Sequence, residues 1–312
     1  MMFRQGSGMP MIAVVGSVNL DLVVPVPHHP RPGETVLGGA LAEHPGGKGA
    51  NQAVAAARLG AQVAMVAMVG ADPVGERLRK ALELEGVDVE RVLLEQEHGL
   101  ASGQALIAVD NGSGENSIIV SPGANSALGP EHCAAAGALL RDASVTLLQQ
   151  EIPGETVEAA ARLAAGLVLL NPAPARPLSA ALLEMVDVLL PNREELAALV
   201  GEPLPDLHAV ADAARTLRGP AAVVVTLGAD GALLCEEGAI HLVPALPVTP
   251  VDTTAAGDAF CGALAVALAE GRSLHEAVRR ANAAAALATT RPGAQPSLPT
   301  RAEVERLLTH PF

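Results

Sequence analysis

Short apolar runs recur along the chain, and most are followed by stretches in which apolar residues return every three or four positions. Runs at Met11–Val15, 62–69, 146–148, 167–170, 186–190 and 222–226 are nearly continuous in Ala, Val, Leu, Ile and Met. That is the pattern of strands covered on both faces. Helical periods fall near 50–59, 74–85, 130–141, 156–165, 193–200 and 207–217. The alternation predicts an α/β fold built on a mostly parallel sheet with helices on both sides. Further on, 231–235 and Ala239–Val243 read as an antiparallel pair. Ala-rich helices near 257–269 and 274–289 and a short helix near 301–309 complete the series.

Two stretches, about 21–45 and 102–122, break this rhythm. The first holds an apolar run at 23–26, a Pro/His/Gly-rich turn and a second run at 35–37. The other holds 104–109, a turn at 110–115 containing Asn111-Gly112, and 117–120. Asn-Gly between alternating residues favours a hairpin. The stretches are expected to meet in space as a small β-sheet lid inserted into one α/β domain spanning 11–312. Edge hairpins of the main sheet are the alternative. Residues 1–10 read as a disordered N-terminal extension.

Composition narrows the function. The formal charge is −14, Trp and Tyr are absent, and Phe3, Phe260 and Phe312 are the only aromatics besides His. Such a chain repels nucleic acid and anionic membranes and lacks platforms for stacking bases. An anionic ligand can still be held locally by backbone N–H groups and Mg²⁺. Cys133, Cys235 and Cys261 suit neither a disulfide framework nor a zinc site, which points to a reducing, cytoplasmic setting. The run Met11–Val15 is too short for a signal core or a membrane span.

Several short segments could carry chemistry. In 251–260, Asp252-Thr253-Thr254-Ala255-Ala256-Gly257-Asp258 opens an Ala-rich helix. The small residues let a phosphate approach the N–H groups of the helix terminus, and Asp258 could take a hydroxyl proton there. By itself Asp258 reads first as an ordinary first-turn acid, which is the commoner case. Pro45-Gly46-Gly47-Lys48-Gly49-Ala50-Asn51 opens another helix, and Lys48 and Asn51 offer donors to hydroxyls; it is not a Walker A loop. Asn19 and Asp21, after the first strand, alternate along extended chain and would point the same way, where open α/β sheets place ligands. Glu151 follows the 146–150 run. Asn192 and Glu195 follow another strand, where Asn192 is also a good N-cap. Thr226, Gly228 and Gly231 form a two-glycine turn. No Gly-x-Gly-x-x-Gly follows the first strand, which sets a nicotinamide-dependent enzyme low.

In this order and spacing, the 46–53 and 252–258 segments resemble the two signatures of the ribokinase family of sugar kinases, the phosphofructokinase-B type. Asn171-Pro172-Ala173-Pro174-Ala175-Arg176, Thr226-Leu227-Gly228 and Gly293-Ala294-Gln295-Pro296-Ser297 strengthen the likeness, which runs from about residue 11 to the end. The resemblance implies a three-layer α/β/α, Rossmann-like fold and transfer of the ATP γ-phosphoryl group to a sugar hydroxyl, foremost O5 of D-ribose. It implies Asp258 as base and the N–H groups of Ala255, Ala256 and Gly257 as anion hole. Asn19, Asp21, Gly46, Gly47, Lys48, Asn51 and Glu151 would bind sugar. Asn192, Glu195, Thr226, Gly228, Gly231, Gly257 and Asn282 would serve ATP and its Mg²⁺. Asp252, Thr254, Ala288, Arg291, Gly293 and Ser297 would hold an activating K⁺, partly through carbonyls. A homodimer formed through the lid is also implied. Asn282 stands where His is frequent near the adenine in the family, which bears on the preference for ATP; 102–107 departs in detail, which bears on the identity of the sugar. Kinases of deoxyribose, fructose or a nucleoside, and a non-catalytic sugar sensor, are the alternatives.

Overall fold

The computed structural model describes residues 11–309; the extension expected over 1–10 lies outside them. In chain order the strands are β1 (Met11–Val15), β2 (Asn19–Val26), β3 (Ala42–Gly46), β4 (Gln62–Gly70), β5 (Val87–Glu95), β6 (Gly103–Asp110), β7 (Asn116–Ser121), β8 (Val145–Leu148), β9 (Leu167–Leu170), β10 (Val188–Leu189), β11 (Ala222–Thr226), β12 (Ala232–Glu236) and β13 (Ala239–Val243). The helices are α1 (Lys48–Arg58), α2 (Pro73–Leu84), α3 (Pro130–Ala135), α4 (Gly137–Asp142), α5 (Gly154–Leu163), α6 (Ala180–Leu183), α7 (Arg193–Val200), α8 (Leu207–Thr216), α9 (Ala256–Ala269), α10 (Leu274–Ala288) and α11 (Arg301–Thr309).

The main sheet runs β13-β12-β11-β10-β9-β8-β1-β4-β5 and is parallel except for β12 and β13. Its central strands are buried on both faces, as their unbroken apolar runs predict. Ile12 and Val14 of β1 pack into one core with Val54 of α1, Leu264 of α9 and Ala281 of α10, whereas Ala13 and Val15 pack into the other with Cys133, Leu140 and Val157. This is the expected three-layer arrangement. β1 pairs with both β4 and β8, so the strand order reverses between β1 and β8. The carboxyl ends of those two strands bound the crevice that open α/β sheets offer to ligands.

The small second sheet runs β3-β2-β6-β7, with β2 parallel to β6 and the outer pairs antiparallel. It unites the two stretches that interrupt the α/β rhythm, and Asp110 closes the β6–β7 turn by accepting from the N–H groups of Gly112 and Ser113. One strand moves. Residues 35–37 are irregular, with Leu37 almost fully exposed, and the edge of β2 is taken instead by Ala-Glu-His-Pro-Gly at 42–46. Backbone pairing opposite β2 decided the matter against apolar character. β5, an edge strand broken by Asp88, Glu90 and Arg91, has no apolar run to announce it. The helix expected over 130–141 is split into α3 and α4.

Candidate active site

The loop after β1 and the residues after β8 meet at the reversal. Ser17 Oγ donates to Glu151 Oε2 at 2.5 Å, and the Lys48 N–H donates to the same oxygen at 3.0 Å. Glu151 thus ties the first loop to the start of α1. The glycines before Lys48 are needed for close approach. Gly47 has φ +89°, and a Cβ there would lie 2.8 Å from the Asn19 nitrogen; a Cβ on Gly46 would lie 2.0 Å from Asp21 Oδ2. Asn19 is buried, and its Oδ1 accepts from Asn125 Nδ2 at 2.8 Å. Asn125 also accepts from the Val18 N–H and donates to the carbonyls of Val18 and Pro122, so the exit of the lid is pinned to its entrance.

Asp258 lies in the first turn of α9, whose N-cap, Ala255, has the left-handed φ of +59°. Such a conformation on a residue with a Cβ costs about 1 kcal/mol and gathers at functional sites. The Ala256 N–H closes a turn on Thr253 O at 3.3 Å, and Gly257 is exposed with open space where a Cβ would stand. Asp258 Oδ2 accepts from Asn51 Nδ2 at 3.0 Å and Oδ1 from Gln52 Nε2 at 2.9 Å. Burial raises its pKa, against the opposing pull of the Lys48 charge and the two amides. Asp21 is pushed up to about 7, chiefly by burial and then by the charges of Glu151 and Asp258. Burial works against the charge on Lys48, but the carboxylates of Asp258, Glu151 and Glu195 outweigh it and hold its pKa above the ordinary value. Asn51 Oδ1 is buried without a partner among the described residues, an acceptor ready for a hydroxyl.

Two cavities flank the 250–257 segment. One, of about 560 Å³, lies under the second sheet and is lined by Asp21, His44, Ile107, Asp252, Thr254 and Gly293 among others. The second, of about 390 Å³, is lined by Thr226, Gly228, Gly231, Gly257, Phe260 and Asn282 among others. Asn282 donates to the carbonyls of Val243 and Pro244, which fixes the segment leading into that cavity's wall. Asn192 and Glu195 form a reciprocal cap at the start of α7, so the plain N-cap reading of Asn192 holds. Burial raises the Glu195 pKa, opposed by its backbone hydrogen bond and by the Lys48 charge.

Asp252 Oδ1 accepts from the Thr254 N–H and hydroxyl, and Oδ2 from the Gly293 N–H. Burial opposes its ionisation, but these bonds prevail and keep its pKa below the ordinary value. Arg291 pairs with Glu303, Ser297 Oγ donates to Ala294 O at 2.8 Å, and Ala288 ends α10. Asp252, Thr254 and Gly293 are therefore together. The donors in this region are oxygens, the chemistry a hard monovalent cation requires, and one is an ionised carboxylate. Among the described residues, no cluster of three or more His, Cys, Asp or Glu side chains could hold a metal ion.

Sequence reasoning missed four residues: Gln52, Asn125, Gln149 and Asn171. Gln52 stands inside the 46–53 motif without an assigned role. Gln149 and Asn171 are polar residues directly after apolar strands, which was the available signal.

The family model described as "pfkB family carbohydrate kinase" matches residues 9–301. A ribokinase of Haemophilus influenzae is 41% identical over 305 residues, covering 96% of this chain and 98% of that protein. The crystal structure of a Thermotoga maritima ribokinase has a TM-score of 0.88 at 38% identity, covering 97% of this chain and 100% of the other. An Arabidopsis thaliana ribokinase complexed with ribose and ATP has a TM-score of 0.85 at 34% identity, covering 97% and 99%. A likeness of this extent, over a site in which both signature segments meet at Asp258, shows that the chain belongs to the pfkB family of carbohydrate kinases.

Proposed function

We propose that the protein transfers the γ-phosphoryl group of ATP to O5 of D-ribose, giving D-ribose 5-phosphate and ADP. One observation carries the reading: Asp258 is buried at the N-terminus of α9, beside a loop that lines two cavities at once. One cavity takes the sugar and the other the nucleotide. Asn19, Asp21 and Asn51, with Gly46, Gly47, Lys48 and Glu151, present acceptors and donors to the sugar hydroxyls. Asp258 removes the proton from O5 as it attacks. The N–H groups of Ala255, Ala256 and Gly257, at the positive end of the helix, hold the charge of the transferring group. Lys48 lies within electrostatic reach of Asp258, Glu151 and Glu195 and offsets their charge. Such a site works by position and charge, as phosphoryl transfer demands.

Asn192 and Glu195 would serve the phosphates and the divalent metal, while Thr226, Gly228, Gly231 and Asn282 would line the nucleotide. Mg²⁺, when bound with ATP, neutralises phosphate charge. K⁺ would be held by Asp252 and Thr254 with oxygens of Ala288, Arg291, Gly293 and Ser297. The second sheet, as a lid closing over sugar, would keep water from the phosphoryl group. Its outer face exposes Leu106 and Ile119, which stand opposite each other on β6 and β7, an apolar pair suited to contact with a second copy. The chain's composition suits a cytoplasmic setting.

The test is ADP release with ATP, Mg²⁺ and K⁺ against ribose, deoxyribose, fructose, adenosine and no sugar. Ribose-dependent release is expected, and Asp258→Asn should lower kcat by about 10²–10⁴-fold while ribose still binds. Release with another sugar alone would move the substrate. Sugar binding without any turnover would favour a sensor.

A further inference from the structure

Behind Asp258 lies a file of buried amides. Gln52 Nε2 donates to Asp258 Oδ1 at 2.9 Å and to Asn171 Oδ1 at 3.2 Å, while Gln52 Oε1 accepts from Gln149 Nε2 at 2.7 Å. Asn171 in turn donates to Leu190 O at 2.9 Å. Gln52 and Gln149 are fully buried. The orientation of each amide follows from its neighbour. An ionised carboxylate only accepts, so Gln52 must turn its nitrogen to Asp258 and its oxygen to Gln149. Gln149 must then present its own nitrogen, which leaves Gln149 Oε1 buried without a partner among the described residues. That oxygen presses on Gly16, where a Cβ would lie 2.0 Å from it. An unsatisfied buried carbonyl costs about 1–3 kcal/mol, and a fold that keeps one needs a reason.

We infer that Gln52 is a positioning residue for phosphoryl transfer: clamped by Gln149 and Asn171, it fixes the rotamer of the Asp258 carboxylate and stabilises its ionised form. The inference rests on Asp258 being the base. Asn51, the other amide on Asp258, faces the sugar, so the Gln52 bond is the one that ligand exchange leaves in place.

The experiment measures kcat and KM against pH for Gln52→Met, Gln149→Met, the double variant and Asp258→Asn. Methionine keeps the length of the side chain and removes the amide. Loss of a hydrogen bond to a charged group corresponds to about tenfold to a hundredfold, so Gln52→Met should lose that much kcat with KM for sugar and ATP nearly unchanged. The acid limb of its kcat profile should move to higher pH, because the carboxylate is less stabilised. Gln149→Met should shift the limb the same way by less, and the double variant should be no worse than Gln52→Met. An unmoved acid limb, unchanged kcat, or losses that multiply in the double variant would overturn the inference. If Gln52→Met does not fold, the limb in Gln149→Met decides. Near-normal turnover in Asp258→Asn would instead remove the base itself, a failure distinct from normal Gln52→Met beside inactive Asp258→Asn.

Discussion

Replacing Asp21 by Asn should stabilise the sugar-free protein, and the gain should grow with pH. Asp21 is 8% exposed, and its carboxyl is raised from 3.8 to about 7, chiefly by burial and then by the charges of Glu151 and Asp258. Below 3.8 both the folded and unfolded chains hold the proton, and nothing is lost. Between 3.8 and 7 the unfolded chain releases it while the folded chain keeps it, so stability falls as pH rises. Above 7 the loss is complete. Roughly three pH units at about 1.4 kcal/mol each give a cost of about 4 kcal/mol, an upper figure because the unfolded reference is itself compact. Asn is isosteric and carries no charge, so Asp21→Asn should recover about 1–2 kcal/mol at pH 5 and about 4 kcal/mol at pH 8. Urea unfolding of both proteins at the two pH values, without sugar, measures it. At pH 8, where Asp21 is ionised, the same variant should bind ribose about tenfold to a hundredfold more weakly by calorimetry, since an amide replaces a charged acceptor. An equal increment at pH 5 and pH 8 would refute the argument that buried charge at Asp21 is what costs the apo fold.

Other substitutions test neighbouring parts. Gly47→Ala places a Cβ 2.8 Å from the Asn19 nitrogen at φ +89°; it should cost about 2 kcal/mol or more in unfolding measurements and raise KM for ribose, with kcat less affected. Arg58 donates to both oxygens of Glu85 and to the carbonyls of Gln295 and Leu298, at 2.7–2.8 Å. Arg58→Met should therefore cost about 2 kcal/mol. Because those carbonyls belong to the 293–298 segment, the variant should also need more K⁺ for half-activation; an unchanged K⁺ dependence, or no preference for K⁺ over Na⁺ in the wild type, would detach that segment from cation binding.

The centre of the main sheet was legible because its strands are buried on both faces and show it as unbroken apolar runs. β5 was not, since an edge strand faces water and alternates polar residues with apolar ones. β3 was hidden for a different reason. The strand was expected at 35–37 because Pro45 and Gly46 are poor strand formers, yet Gly46 is required where the Asp21 carboxylate passes. Close approach there overrode local propensity. At the site, Asp258, Lys48 and Asn51 could be singled out because small residues at helix starts signal ligand approach. Gln52 and Asn171 stand in motifs and Gln149 directly after an apolar run, but their pairing could not be read, because their contacts join residues 97 to 206 positions apart. No periodicity encodes which buried amide meets which.

The closeness of α1 and α9 explains how those distant residues become one device. A Cβ on Gly262 would lie 2.6 Å from Ala55 Cβ and 2.9 Å from Gln52 O, so the two helices touch backbone to backbone at this point. Ala53, Ala55, Ala56, Ala259 and Ala263 continue the contact with side chains of one carbon. The Ala-rich composition of both helices is thus a matter of distance before it is one of helix propensity. Larger residues would push α9 away from α1, and the 2.9 Å bond from Gln52 to Asp258 could not span the gap. The same approach brings the positive ends of both helices towards three carboxylates, Asp21, Glu151 and Asp258, which Lys48 alone cannot balance. Two helix termini offset part of that charge without adding a second buried cation.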